Sequence, residues 1–140
     1  MKILVPIDGS KYSKKAMAKA KEFGSEIKAE IKLLHVVNPE ISIRNMHNRD
    51  FYEEINRSTM QHSKEILDEA LDFFSDYNGK VTATNIRGDT TETIIKTAET
   101  EDYDLVIMGS RGAGVFSRAL LGSVSNKVLH HIKTSVMIIK

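Results

Sequence analysis

The residues best suited to bind a ligand form a glycine-rich segment in the last third of the sequence. Four of the eight glycines lie from Gly109 to Gly122, and serines follow at positions 123 and 125. Glycine allows a backbone to approach a ligand closely, and a helix that begins at Ser123 points unsatisfied N–H groups and the positive end of its dipole toward an anion. Together these features predict a phosphate-binding site, although the ending of a strand or helix would explain any single glycine.

Known phosphate-binding motifs narrow the type of site. The Walker A pattern G-x-x-x-x-G-K-[ST] does not occur, which excludes a P-loop with its lysine. Gly112 and Gly114 begin a dinucleotide-binding pattern, but Ser117 occupies the place of its third glycine, and the segment does not follow the first strand. Arg111 and Arg118 add positive charge near the glycines. The expected site is therefore built from backbone N–H groups, serine hydroxyls and arginines.

Side chains for covalent or metal-dependent catalysis are sparse. The chain has no cysteine, which excludes thiolate nucleophiles, disulfides and cysteine-based metal centres. Its five histidines lack the spacing of a metal site, and no base can be placed beside Ser110, Ser123 or Ser125. Asp8, which directly follows the first apolar run, is the acidic residue considered for the ligand site. The sequence favours binding over turnover, and hydrolysis of a bound phosphate is expected to be slow if it occurs.

Short apolar runs alternate with amphipathic segments and position these residues. Apolar runs at 2–7, 30–37, 81–86, 104–108 and 135–139 predict strands, and segments 10–27, 51–77, 90–101 and 123–132 predict helices. This alternation predicts a parallel sheet with helices on both faces. Ligands bind such sheets beyond the carboxyl ends of the strands, where the strand order reverses. Asp8-Gly9-Ser10 and the glycine-rich segment are both expected there.

Two helix ends carry recognisable signals. Ser10 is predicted to cap the start of the first helix, because its hydroxyl can accept a hydrogen bond from the first turn. Asn78-Gly79 is predicted to end the second helix, since both residues tolerate the left-handed conformation found at helix ends. Phe73 and Tyr77 are then expected on the buried face of that helix.

Length, charge and composition bound the class of protein. The chain has 140 residues, of which 41% are hydrophobic and 28% charged. This length and composition predict one globular domain over residues 1–140. A formal charge of +1 gives no basis for binding nucleic acid or an acidic lipid surface. No apolar run approaches the length of a membrane span, and the first run is too short for a signal peptide. We therefore expect a cytoplasmic protein without nucleic-acid or membrane partners.

The spacing of the glycines resembles a family signature. Gly109-x-x-Gly112, nine residues and then Gly122-Ser123 is similar to the pattern of the universal stress protein family. The resemblance extends over essentially the whole chain and keeps the family's motifs in order. It also includes Ile3-Leu4-Val5-Pro6-Ile7-Asp8-Gly9-Ser10, Leu33-Leu34-His35-Val36-Val37, Gly88-Asp89 and Leu120-Leu121-Gly122-Ser123-Val124-Ser125.

The resemblance implies a fold and a ligand. The fold is a single-domain α/β, Rossmann-like (adenine nucleotide alpha hydrolase-like) three-layer sandwich, with a five-stranded parallel sheet of order 3-2-1-4-5 and four helices. Strands 1 and 4 are then neighbours, which places Asp8 and Gly109 across one cleft. The implied ligand is ATP, or ADP or AMP, with Mg²⁺ or Mn²⁺ bound through the phosphates. The implied cofactor-binding residues are Pro6, Asp8, Val36, Met108, Gly109, Arg111, Gly112, Gly122, Ser123, Val124 and Ser125.

Within that set, the resemblance assigns different parts of the nucleotide to different residues. Pro6 and Val36 would contact adenine, Asp8 the ribose hydroxyls, and the glycines and serines after residue 110 the phosphates. Simpler roles stay open: Asp8 as part of a helix cap, Val36 as a core residue and Ser123 as a cap. Arg111 stands where many nucleotide-binding members have histidine, which changes the local charge and keeps the glycines.

Function and partners are implied by the same resemblance. The chain is expected to be an ATP-binding universal stress protein, a nucleotide-dependent module of stress response or signalling with weak or no ATP hydrolysis. A slow ATP hydrolase and an interaction module that binds no nucleotide are the alternatives. The apolar strand at 135–139 is expected to be a sheet edge that pairs isologously in a homodimer. The loop at 38–50 follows the second strand and is expected to form a flap over the ligand.

Overall fold

Strands and helices alternate along the part of the chain that the structure describes. This computed structural model describes residues 1–39, 49–112 and 120–140. Most of the expected flap, residues 40–48, and Arg118 lie outside the described residues. The elements are β1 (Lys2–Pro6), α1 (Lys11–Ile27), β2 (Glu30–Val37), α2 (Arg49–Phe73), β3 (Val81–Arg87), α3 (Thr90–Thr100), β4 (Leu105–Gly109), α4 (Ser123–His131) and β5 (Ser135–Ile139).

The strands form one parallel sheet in the order β3-β2-β1-β4-β5, which confirms the predicted fold class and strand order. Ile3 of β1 pairs with Ile31 of β2 on one side and with Leu105 of β4 on the other. The chain therefore leaves β1 in one direction to build β2 and β3, and later returns to its other side to build β4 and β5. The order reverses between β1 and β4, so a crevice opens beyond their carboxyl ends.

Apolar side chains fill both sides of the sheet. On one face, Ile3, Leu33 and Ile107 are fully buried under α1 and α2. On the other face, Leu4 and Val106 are fully buried under α3 and α4. Because both faces are covered, β1, β4 and β5 have nearly continuous apolar runs in place of alternation. The helices cover both faces of the sheet and leave the carboxyl ends of the strands uncovered.

The second helix ends at Phe73, so the prediction that it continues to Tyr77 is wrong. The Tyr77 hydroxyl donates a hydrogen bond of 2.7 Å to the Ala29 carbonyl, which brings the ring back over the sheet. An added Cβ at Gly24 or at Gly79 would lie 2.6 Å from an atom of that ring or its hydroxyl. Gly79 therefore allows close packing and does not end the helix. Phe73 is 41% exposed, not buried as predicted, because its neighbour takes the inward position.

The first helix begins as predicted. The Ser13 N–H donates to the Ser10 side-chain oxygen at 3.2 Å, so Ser10 is the N-cap of α1. This bond satisfies one of the donors that a helix start leaves unpaired. Among the described helices, none combines the length and the apolar composition needed to cross a bilayer.

Candidate functional site

A cleft of about 360 Å³ lies beyond the carboxyl ends of β1, β2 and β4, between the first turns of α3 and α4. Its volume is within the usual range for small-molecule sites. All the cofactor-binding residues predicted from the resemblance line it. These are Pro6, Asp8, Val36, Met108, Gly109, Arg111, Gly112, Gly122, Ser123, Val124 and Ser125.

The cleft has an apolar end and a polar end. The apolar end lies toward β2 and α3 and includes Leu34, Val36 and Ile94. Leu34 and Ile94 are almost completely buried, so this wall is rigidly packed. The polar end lies where β4 leads toward α4 and is lined by Arg111 and by glycines and serines. Since β1 lies between β2 and β4, Asp8 at its end stands between the two halves.

Asp8 is held in place by a tight turn. Its Oδ1 accepts the Ser10 N–H at 2.9 Å, and its own N–H donates to the Ser13 hydroxyl oxygen at 3.4 Å. Gly9, between them, has a φ of +79°, a backbone conformation that residues with a Cβ rarely adopt. Ser10 therefore caps the helix, and Asp8 orients the turn that leads into it.

Two glycines in the cleft allow close approach of backbone. A Cβ at Gly112 would lie 2.9 Å from the Asp8 Oδ2, and a Cβ at Gly109 would lie 2.8 Å from the Tyr12 carbonyl carbon. A larger residue at Gly109 would push the end of β4 away from α1, and one at Gly112 would displace the Asp8 carboxylate. Asp8 and Gly112 thus lie against each other at the crevice that the strand order predicts.

The start of α4 is bound to the end of β4. The Gly122 N–H donates to the Ser110 carbonyl at 2.7 Å, and the Ser125 hydroxyl donates to the same carbonyl at 2.8 Å. The Ser110 N–H in turn donates to the Ile139 carbonyl at 2.7 Å. A hydroxyl carries one proton, so that of buried Ser125 is used within the protein. Ser123, which is exposed, is the other serine at this end of the cleft.

The residues lining the cleft supply one carboxylate, from Asp8, and one guanidinium, from Arg111. The Arg111 guanidinium carbon lies 5.9 Å from the centroid of the Tyr12 ring. Within the described ranges, histidines and carboxylates form no group of three that could hold a metal ion. The described lining of the cleft therefore offers Mg²⁺ a single carboxylate, and the phosphates of a bound nucleotide would have to supply further ligands.

The cleft also includes residues that the sequence did not single out. Thr90 is the first residue of α3, and Asn38 directly follows β2, so both lie at the apolar end. Asn38 begins the loop that the sequence already places on the ligand side, whereas Thr90 was not predicted as a site residue. The lining residues that the sequence did not predict for this site are Ile7, Ser13, Leu34, Thr90 and Ile94.

Comparison with known proteins places this fold in a family. A family model described as the universal stress protein family matches residues 1–140. Universal stress protein MJ0577 of Methanocaldococcus jannaschii is 29% identical over 152 residues, covering 99% of this chain and 94% of that protein. Its solved structure has a TM-score of 0.85, with 31% identity over 99% of this chain and 94% of that one.

Other solved structures share the fold at lower identity. UspA from Lactobacillus plantarum has a TM-score of 0.87 at 22% identity, covering 100% of this chain and 97% of that one. A family protein from Arabidopsis thaliana with AMP bound has a TM-score of 0.73 at 20% identity, covering 100% and 91%. A universal stress protein in complex with cAMP has a TM-score of 0.75 at 21% identity, covering 100% and 97%. These three likenesses bear on the fold alone.

Proposed function

This chain belongs to the universal stress protein family, and we propose that it binds an adenine nucleotide, ATP or else ADP or AMP, as a module of stress response or signalling. The observation that carries the proposal is a cleft of about 360 Å³ whose apolar and glycine–serine ends are joined by one carboxylate. Base, ribose and phosphate follow one another in the same order along a nucleotide. Proteins of the same fold bind AMP and cAMP, which supports the choice of ligand.

The base would occupy the apolar end of the cleft. Pro6, Val36 and Met108 line this region together with the buried Leu34 and Ile94. A purine ring buries two apolar faces, and an apolar pocket that is already formed avoids the cost of reordering side chains on binding. Binding of the base would therefore leave the packing of these apolar side chains unchanged.

The ribose would lie at Asp8. Its carboxylate accepts the Ser10 N–H through Oδ1 at 2.9 Å, which fixes its orientation before a ligand arrives. Ribose hydroxyls donate hydrogen bonds, and a charged acceptor makes these stronger than a neutral one. Gly112, without a side chain, lets the backbone after β4 lie against this carboxylate.

The phosphates would lie at the polar end. Backbone N–H groups at Gly112 and at the first turn of α4, the Ser123 hydroxyl and the Arg111 guanidinium are the donors there. The positive end of the α4 dipole adds about 0.3–1 kcal/mol for an exposed negative charge. Ser125 would support this turn from behind through its bond to Ser110. Mg²⁺ or Mn²⁺ would be carried by the phosphates.

We propose binding in place of rapid turnover. Hydrolysis of ATP requires a positioned water and usually a base that orients it. Of the described side chains at the cleft, Asp8 carries the carboxylate, and the proposal assigns it to the ribose. Prolonged incubation with Mg²⁺ and ATP should release little phosphate. Sustained release over many turnovers would identify the protein as an ATP hydrolase.

A homodimer and a cytoplasmic location complete the proposal. Among the described strands, β5 (Ser135–Ile139) pairs only with β4, so its other edge offers backbone groups for pairing. We expect two copies to pair isologously along that edge. Light scattering at micromolar concentration should give twice the chain mass of 15.7 kDa, and a monomer mass would contradict the dimer. Cell fractionation tests the location.

Calorimetry on the full chain, stripped of nucleotide, tests the binding proposal. We expect saturable binding of ATP, ADP or AMP, and mass spectrometry of the protein as purified should identify any nucleotide carried with it. If none of the adenosine phosphates binds at millimolar concentration, the proposal is wrong and the interaction module that binds no nucleotide is favoured.

The choice of variant for that test follows from the glycine contacts. A Cβ at Gly122 would lie 3.3 Å from the Arg111 Cα, so Gly122→Val would displace the backbone whether or not a ligand binds there. Asp8→Asn is a sharper probe, because the asparagine side-chain oxygen can still accept the Ser10 N–H and keep the turn.

A further inference from the structure

Three cationic side chains surround one aromatic ring at the edge of the cleft. The Nζ atoms of Lys11 and Lys15 lie 5.0 and 5.8 Å from the centroid of the Tyr12 ring, and the Arg111 guanidinium carbon lies 5.9 Å from it. These distances are within the range of cation–π attraction, which offsets part of the repulsion between like charges. We call these four residues the Tyr12 cluster.

The Tyr12 cluster is continuous with the polar end of the cleft. Arg111 lines the cleft directly, as does Ser13, which follows Tyr12 in the first turn of α1. A Cβ at Gly109 would lie 2.8 Å from the Tyr12 carbonyl carbon, so this turn lies against the end of β4. The positive charge of the cluster therefore begins at the cleft and extends outward over α1.

Side-chain carboxylates pair with other lysines of α1. Lys14 forms an ion pair with Glu69 at 2.6 Å, and Lys19 forms one with Glu22 at 2.6 Å. Within the part of the chain that the structure describes, no aspartate or glutamate side chain pairs with Lys11 or Lys15; the Lys15 ammonium donates at 3.2 Å to the main-chain oxygen of Lys140, which in this chain is a carboxylate oxygen. The positive charge of Lys11 is thus available to an anion, and that of Lys15 is available in competition with Lys140.

We infer that the Tyr12 cluster selects nucleotides by the number of their phosphates, favouring a nucleoside triphosphate over a monophosphate or a cyclic monophosphate. This rests on the proposed function, since it requires that a nucleotide occupies the cleft. A triphosphate carries more negative charge, and its added phosphates extend beyond the one nearest the ribose. Charges within a Debye length of about 10 Å at 0.1 M salt interact appreciably, so the added phosphates gain more from Lys11 and Lys15.

The test compares ATP with AMP on the full chain and on Lys11→Gln/Lys15→Gln. Calorimetry without divalent cations leaves the triphosphate its full charge. An exposed ion pair contributes about 0.2–1 kcal/mol, so losing two should weaken ATP binding by about two- to thirtyfold. AMP binding should change by less than about twofold. Added salt should weaken ATP binding to the parent chain more than to the variant.

Lys19→Gln is the matched control. It removes one positive charge from the same helix, away from the Tyr12 ring, and should leave the ratio of ATP to AMP affinity unchanged. The inference is wrong if the double variant loses ATP and AMP affinity equally, if it loses neither, or if Lys19→Gln has the same effect. If the unmodified chain binds neither nucleotide, the proposed function is wrong and the inference is overturned with it.

Discussion

His35 and Ser63 are joined by a hydrogen bond of 2.7 Å between the imidazole Nδ1 and the hydroxyl Oγ, which ties β2 to α2 beside the cleft. Ser63 is fully buried, and His35 is half-buried. Burial lowers the pKa of His35, the positive charge of His62 lowers it further, and the carboxylate of Asp8 acts in the opposite direction. The folded protein therefore favours neutral His35.

This relationship predicts how stability depends on pH. Unfolded, His35 has its ordinary pKa of 6.5 and binds a proton more readily than when folded. Neutral His35 therefore contributes fully to the free energy of unfolding above the ordinary pKa of 6.5. This contribution is lost as the pH falls from there through the lower pKa of the folded protein. His35→Asn retains a group that can bond to Ser63 and cannot titrate there. Urea denaturation of this variant should show a flatter loss of stability between about pH 7 and pH 5.

His131→Asn provides the control, because His131 is exposed on α4 and bonds through Nδ1 to the Lys127 carbonyl of its own helix. The free energy of unfolding of His131→Asn should fall with decreasing pH as steeply as that of the parent chain. An equally steep decline in His35→Asn would show that the pH dependence comes from other groups.

Asp8→Asn should weaken binding of ATP and AMP alike, by about ten- to a hundredfold, because hydrogen bonds to a charged group contribute about 1.5–3 kcal/mol. Calorimetry measures the affinities, and the melting temperature should change little since the turn to Ser10 is kept. Asp72→Asn, at an exposed position on α2, is the matched control. Unchanged affinity in Asp8→Asn would remove the ribose role from this residue.

Ser125→Ala and Ser123→Ala should separate structural from ligand contacts. Ser125→Ala removes a bond to the Ser110 carbonyl, which retains the Gly122 N–H, so the free energy of unfolding should fall by about 0.5–1.5 kcal/mol. Ser123→Ala should leave stability nearly unchanged and weaken ATP binding by about two- to tenfold. Denaturant titration and calorimetry on both variants test this, and the reverse pattern would contradict it.

Thr90→Val should weaken adenine nucleotide binding by about two- to tenfold, the effect of losing one neutral hydrogen bond. Thr90 supplies a hydroxyl at the apolar end of the cleft, where the base is proposed to lie. Thr91→Val is the control, since it makes the same change one residue further along α3 and does not line the cleft. Calorimetry with ATP should show no effect in the control. Equal losses in both variants would indicate a change in the helix and no contact with the base.

The sequence predicts the frame of the molecule better than its finer contacts. Strand β2 has the predicted bounds because a run of β-branched and aliphatic residues between turn residues allows few other structures. The predicted end of α2 is wrong because Tyr77 leaves the helix to pack against two glycines, Gly24 and Gly79, of which Gly24 is distant in the sequence. The Ser125 bond to Ser110 likewise joins separate elements, which no local pattern reveals.

The Ser110 peptide unit connects the start of α4 with the end of β5 through hydrogen bonds. Its carbonyl accepts from the start of α4, and its N–H donates to Ile139, the last residue of the edge strand. A ligand that shifted α4 would therefore act, through this peptide unit, on the end of the edge strand along which we propose that a second copy assembles. Thermodynamic reciprocity then requires that assembly alter ligand affinity by the factor with which the ligand alters assembly.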